Sequence, residues 1–356
     1  MREKSCQLLL LFEMPAVRKR VMATIRKKRS SVGVLGLGNW GTALADHLAR
    51  NGHNVVCWDR DAAVLESVRN HGKNSRYHSE FSLHEGLCPV DTADLVFEQP
   101  ILLLTVPSRA LREVFSSMQV STDTLIISAI KGLEPETLLT PLQFMHKKYP
   151  QLTRLAVLSG PSFSSDVIRR RPAGIVAAST DGVVAREVSE LFRADTMRVY
   201  LSSDPLGVEL GGILKNVIAL AVGVSDGLDL GDSARAALVT RGLAEMTRLA
   251  VAMGAEERTL FGLSGMGDLI MTATCDRSRN RTVGIRLGRG EQLDEILRTL
   301  GSTAEAVGTT AIVLQLAEEH QVEMPITEAV SAMLEGVISP AEMIQRFILR
   351  PTKAEF

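Results

Sequence analysis

Charge of one sign is what this sequence has least of. Across 356 residues, 40 Lys and Arg stand against 41 Asp and Glu, a net charge of −1. Nothing global therefore draws the chain to nucleic acid or to a membrane, and any work done by charge must be local. Paired cysteines are missing too: Cys6, Cys57, Cys88 and Cys275 are scattered, with no CxxC. That excludes a disulfide framework and reads as the reduced thiols of a cytoplasmic protein. The seven histidines show no ligand spacing, so no metal is expected. A targeting segment is lacking as well. The only apolar stretch near the start is LLLLF, broken at Glu13, shorter than the ~7 to 15 residues of a signal-peptide core. Arg and Lys then cluster between Arg18 and Arg29. Residues 1–30 read as a basic extension, either disordered or preceding a true start at Met22, and no chemistry is placed there.

What is present suits two domains, because single cores rarely grow past about 250 to 300 residues. With 45% hydrophobic and 23% charged residues, the composition is that of a soluble globular protein. From Ser31 onward short apolar runs alternate with helical patterns. Strands are expected at 31–37, 53–58, 101–106, 124–130, 155–160, 173–179 and 197–203, with helices at 39–52 and from Asp61. Their near-continuous apolar character is what a parallel sheet covered on both faces requires. After Pro205 only helical patterns follow, at 206–224, 233–253, roughly 276–288, 304–320 and 325–335. The fold class is therefore α/β: an N-terminal Rossmann-type doubly wound, mostly parallel sheet over 31–204, then an all-helical C-terminal domain over 205–356. A cleft between two such domains favours a ligand.

Several stretches carry chemistry. GLGNWG (36–41) fits G-x-G-x-x-G after a strand and before a helix, the context of a dinucleotide site. There Gly36 permits the turn, Gly38 lets a pyrophosphate approach the backbone, and Gly41 allows helix and strand to pack closely. The second strand ends at Trp58, with Asp59 turned toward solvent and Arg60 toward an adenosine. Lys131, in SAIKGL, lies in a loop after a strand. Gly160 and Ser162, in LSGPSF, would present small groups and amides to a polar ligand, or serve only as a helix cap. Lys215 interrupts the apolar run VELGGILKNVIALAVGV (208–224). Its stem either packs in the core with the head in water, or the buried ammonium is paired and functional. Asp268 and Thr272 are four apart and share a face if GDLIMTAT is helical. Ser278, Arg279, Asn280 and Arg281 concentrate donors at a helix start, as a phosphate dianion would require, although a solvated basic turn has the same composition.

Taken in order, GLGNWGTALA (36–45), KNSRYH (73–78), SAIKGL (128–133), SGPSF (159–163), GGILKNVIALAVGVSDGL (211–228), GDSARAALVTRGLAEM (231–246), FGLSGMGDLIMTAT (261–274), SRNR (278–281) and MPI (324–326) resemble the bacterial NAD(P)-dependent glycerol-3-phosphate dehydrogenases. The resemblance spans about residues 31 to 335. It implies reversible reduction of dihydroxyacetone phosphate to sn-glycerol 3-phosphate, which supplies the backbone for phospholipid synthesis, in a cytoplasmic homodimer that neither inserts in membranes nor binds nucleic acid. Lys215 matches the catalytic lysine, with Asp268 and Thr272 beside it. Lys131, Gly160, Ser162, Asn216, Asp268, Ser278, Arg279 and Asn280 match the substrate site. Besides Gly36, Gly38 and Gly41, cofactor contacts fall on Asn39, Trp40, Arg60, Tyr77, Lys131, Ser164, Arg279, Thr303 and Glu305. Both NAD and NADP are expected to work, with NADPH modestly preferred. The chain departs from the family at Ser233 and Arg235, where Asn and Lys are usual, at Ser164 for alanine, in the loose STAEAV (302–307), and at Asp59. A second reading is a β-hydroxyacid dehydrogenase, whose carboxylate substrate gives SRNR no purpose. A third is a silent dinucleotide-binding regulator, which would be expected to lose Lys215 or its partners.

Overall fold

A computed structural model describes residues 29–300 and 304–349 of the chain. Most of the expected basic extension, residues 1–28, lies outside them, as does Thr303. Among the described residues eight strands form one sheet: β1 (Ser31–Leu35), β2 (Asn54–Trp58), β3 (Leu87–Pro89), β4 (Ile101–Leu104), β5 (Leu125–Ser128), β6 (Leu155–Ser159), β7 (Ala173–Ala178) and β8 (Met197–Ser202). Their order in space is β3-β2-β1-β4-β5-β6-β7-β8. All neighbours are parallel except β6 and β7, as a mostly parallel sheet demands. β4 and β5 are buried at every position, so ILLL and LIIS need no polar alternation. β3 was not expected, because three residues ending in proline carry no readable period. Between β1 and β4 the strand order reverses, and the carboxyl ends of the strands at such a point are where open α/β sheets bind ligands.

Four longer helices accompany the sheet: α1 (Asn39–Arg50), α2 (Ala62–His71), α3 (Pro141–Lys148) and α4 (Gly182–Phe192). Beyond Ser202 the described residues form helices and turns alone. Besides a single helical turn at Glu257–Leu260, these are α5 (Pro205–Gly227), α6 (Gly231–Ala252), a π-helical turn (Leu263–Gly267) running into α7 (Asp268–Thr274), α8 (Arg279–Gly288), α9 (Leu293–Leu300), α10 (Glu305–Glu319), α11 (Pro325–Leu334) and α12 (Pro340–Ile348). The helices at 268–274, 293–300 and 340–348 add to those expected.

α5 organises this half. Asp204 caps it, accepting from the Gly207 amide at 2.8 Å, and Pro205 sits in its first turn. It is long and apolar enough to cross a membrane, with mean hydropathy 1.6, yet that stretch is wholly buried inside the protein. Its Leu, Ile and Val side chains join α6, α8, α10 and α11 in one core. Against α8 the backbones touch. A Cβ on Gly223 would stand 2.2 Å from the Arg281 carbonyl oxygen, and one on Gly284 2.1 Å from that of Leu220. Toward its start α5 meets the carboxyl end of β6, where a Cβ on Gly212 would lie 2.8 Å from Ser159 Oγ. This approach sets Lys215, one turn further on, beside the loops that leave the sheet.

Candidate active site

The first of those loops is the glycine turn after β1. Gly36 has φ +98°, a left-handed conformation costly for other residues. A Cβ on Gly41 would lie 1.9 Å from the Gly36 carbonyl oxygen, whereas one on Gly38 would meet nothing within 4 Å. The turn is thus closed tightly around Gly36 and open above Gly38. No side chain caps α1 there, so its first amides remain available to a phosphate. The Trp40 indole N–H next to them is buried without a partner among the described residues. An open glycine, an uncapped helix start and an orphaned donor fit a dinucleotide.

Side chains from afar hold the turn in shape. Thr105 Oγ1 donates to the Gly36 carbonyl at 2.7 Å, and Asn74 Nδ2 to that of Leu37 at 2.8 Å and to Thr42 Oγ1 at 2.8 Å. His78 Nε2 lies 2.9 Å from the Asn39 carbonyl. The second strand does end at Trp58, but Asp59 is not turned to solvent. Its Oδ2 accepts from the Leu37 amide at 2.6 Å and its Oδ1 from the Asp61 amide at 2.9 Å. A carboxylate one residue past the strand can satisfy two otherwise unpaired amides, which outweighs hydration. Arg60 is exposed and Tyr77 half-buried.

The polar centre lies where α5, α7 and the loop after β5 converge. Lys215 is buried, and its ammonium donates to Asp268 Oδ1 at 2.6 Å and Thr272 Oγ1 at 2.7 Å. The Thr272 hydroxyl donates to the Asp268 carbonyl at 2.6 Å, leaving an oxygen lone pair for the lysine. α7 is helical, as the shared face of Asp268 and Thr272 required. The other carboxylate oxygen accepts from Lys131 Nζ at 2.6 Å, and Lys131 also donates to the Gly160 carbonyl at 3.3 Å. Ser162 Oγ donates to the same carbonyl at 3.2 Å.

Two ammoniums thus share one carboxylate, and the cluster carries one net positive charge. Burial pushes the Lys215 ammonium down to about 8, and Lys131 adds to this, while Asp268 and, more weakly, Glu305 oppose it. Burial alone would raise Asp268, but the two lysines outweigh it and hold the carboxyl below its usual range. The ammonium has three protons, and two are committed. The third has no acceptor among the described residues. A donor poised near neutrality, with one N–H to spare, can protonate an oxygen on which negative charge grows.

One residue on, Asn216 Nδ2 donates to Glu305 Oε2 at 3.1 Å, and its Oδ1 accepts from Asn280 Nδ2 at 2.9 Å. Asn280 Oδ1 in turn accepts from the Ala306 amide at 3.1 Å. Ser278 caps α8. The four expected donors of SRNR divide. Arg281 turns away, paired with Asp226 at 2.7 Å and Asp276 at 2.7 Å. Arg279 is exposed, with no ion pair among the described residues. Lys131, Gly160, Lys215, Asp268 and Thr272 are joined by direct bonds, as are Asn216, Asn280 and Glu305. Arg60, Tyr77, Ser164 and Arg279 stand outside those networks. Asn74 and Thr105 escaped sequence reasoning; both occur in stretches already singled out, but their task is a bond to a distant carbonyl, which no local pattern encodes.

The model of the NAD-dependent glycerol-3-phosphate dehydrogenase N-terminus matches residues 31–185, and that of the C-terminus residues 204–345. A protein of Syntrophotalea carbinolica described as glycerol-3-phosphate dehydrogenase, NAD(P)+, is 46% identical over 330 residues, 91% of this chain and 99% of that one. One of the same description from Citrifermentans bemidjiense is 44% identical, over 91% and 98%. The crystal structure of glycerol-3-phosphate dehydrogenase from Coxiella burnetii superposes with a TM-score of 0.86 at 35% identity, covering 90% of this chain and 99% of that one.

Proposed function

The chain belongs to the NAD-dependent glycerol-3-phosphate dehydrogenases, and from that premise we propose that Lys215 is the proton donor in its reversible reduction of dihydroxyacetone phosphate to sn-glycerol 3-phosphate. The observation that carries this role is the uncommitted third proton of a buried ammonium already held by Asp268 and Thr272. When bound, the nicotinamide supplies the hydride, or takes it in the reverse direction. Lys215 stabilises the charge that develops on the carbonyl oxygen and delivers the proton to it; in reverse the neutral amine accepts the alcohol proton. Asp268 orients both lysines, and Lys131 keeps Lys215 easy to deprotonate. Arg279, with Ser278 and Asn280, takes the substrate phosphate. The competing carboxylate substrate would leave that group of donors without purpose.

In this reading residues 31–204 bind the dinucleotide and residues 205–356 the substrate. The pyrophosphate lies over Gly38, within reach of Asn39 and Trp40. Arg60 and Tyr77 address the adenosine, and Lys131, Ser164, Arg279 and Glu305 the remainder. NADPH is modestly preferred over NADH. Supporting this, the Asp59 carboxylate is already engaged by two amides, while Arg60 beside it is exposed. The enzyme is taken to be a cytoplasmic homodimer supplying phospholipid synthesis; the burial of its apolar helix supports a soluble protein. Loss of reduced-nicotinamide absorbance tests the whole reading. It should be rapid with dihydroxyacetone phosphate and slow with dihydroxyacetone or a β-keto acid. Equal rates with all three would defeat it.

A further inference from the structure

Arg277 is not among the residues assigned above, yet it joins two of the segments they occupy. It precedes Ser278, and its guanidinium grips Asp166 with both forks, Nη1 to Oδ1 at 2.8 Å and Nη2 to Oδ2 at 2.8 Å. Nη1 also donates to Ser165 Oγ at 2.9 Å. The guanidinium carbon stands 4.6 Å from the centre of the Phe163 ring. Phe163, Ser165 and Asp166 flank Ser164 in the short helical turn that follows Gly160 and Ser162. Asp166 also accepts from Arg171 at 3.0 Å. Hydrogen bonds from Arg277, against a smaller effect of burial, hold the carboxyl below its usual range, so both partners stay ionised at neutral pH.

We propose that Arg277 is a positioning residue for the dehydrogenase reaction, a latch that fixes the Ser278–Asn280 segment against the turn carrying Ser162 and Ser164. Planar pairing and aromatic stacking make the contact directional, which a lysine could not reproduce. The side chains are 44% and 21% exposed, so the pair adds little to global stability. It adds alignment. The phosphate assigned to Arg279 and the cofactor assigned to Ser164 sit on two chain segments that Arg277 and Asp166, 111 residues apart in sequence, tie to one another. Displacement of bound groups by about an ångström costs up to ~100-fold in rate.

The inference rests on the reading of the site given above, and the test separates the two. Arg277→Ala, Arg277→Lys, Asp166→Asn and the double variant Arg277→Ala/Asp166→Asn are compared with wild type for kcat and KM with dihydroxyacetone phosphate, and for Tm. Each single substitution is expected to lower kcat/KM by about tenfold, part of it in kcat, with Tm unmoved within ~1 °C. The double variant should be no worse than the poorer single one, because either change opens the same latch. Arg277→Lys should recover little. Losses that multiply in the double variant, or an Arg277→Ala enzyme as efficient as wild type, would overturn the latch. If Arg277→Ala does not fold, Asp166→Asn and Arg277→Lys decide by the same criteria. A wild-type protein that fails to reduce dihydroxyacetone phosphate overturns the reading of the site and the latch with it.

Discussion

Two demands on Lys215 conflict. Burial in α5 favours the neutral amine and Asp268 favours the ammonium, and the balance falls near 8. Removal of the amine in Lys215→Ala should leave folding and cofactor binding intact and lower kcat by at least ~1000-fold. Lys215→Arg should fail as well, since arginine does not release its proton. With Lys215 as the proton donor, reduction needs the ammonium, so its kcat/KM should fall as pH rises through about 8, and kcat/KM for oxidation should rise through the same value. A flat profile from pH 6 to 10 would contradict the assignment. Arg279→Ala should raise KM for dihydroxyacetone phosphate by about tenfold or more and that for cofactor far less. Equal loss with unphosphorylated dihydroxyacetone would exclude Arg279 as the phosphate ligand. Arg60→Ala should erode efficiency with NADPH more than with NADH; Asp59→Ala, which frees the Leu37 amide, should weaken both cofactors alike. Kinetics with the two cofactors check both. Sequence made Lys215 legible because a charge in an apolar run needs a reason, and Asp268 with Thr272 because helical spacing paired them. That Lys131 shares Asp268 from 137 residues away, and that Asp59 serves a backbone amide, depends on folding that no local spacing records.

Among the elements, strands and long helices were legible because burial on both sheet faces, or all round a helix, demands apolar runs. The three-residue β3 was not. Nor were α3 and α4, α7 with the π-helical turn before it, or α9 and α12; α7 was expected only conditionally, through the pairing of Asp268 and Thr272. One buried group in α5 lies outside the chemistry. Glu209 accepts from the Leu142 amide at 3.1 Å at the start of α3, and burial, opposed by bonds from Thr140 and Leu142, lifts its carboxyl to about 7. A folded pKa above the unfolded one means stability that is full below the ordinary carboxylate range and lost as pH rises through about 7. Glu209→Gln keeps the acceptor and removes the titration. It should raise Tm by about 2 to 5 °C at pH 8.5 and by less than ~1 °C at pH 5. Equal Tm differences at both pH values would show that Glu209 does not titrate in the folded state near 7.

On the scale of the whole molecule, sequence told that charge would be concentrated locally, and it is: a chain of net charge −1 gathers two ammoniums on one buried carboxylate. The switch from a sheet to helices alone was legible from the change of pattern near Pro205. The way α5 meets the end of β6 was not, because it depends on Gly212 leaving room above Ser159. The spare positive charge at Lys131, Asp268 and Lys215 has a thermodynamic consequence for ligand binding. An anion entering the site strengthens the ammonium form of Lys215, so above neutrality the complex must draw protons from solution. At pH 8, where about half of the free protein holds that proton and the substrate phosphate is already a dianion, uptake should approach half a proton per glycerol 3-phosphate bound. Titration calorimetry of the cofactor complex in Hepes and Tris would read this as a heat that depends on the buffer at pH 8. Heats independent of buffer at pH 8 would mean that Lys215 is fully protonated before the substrate arrives.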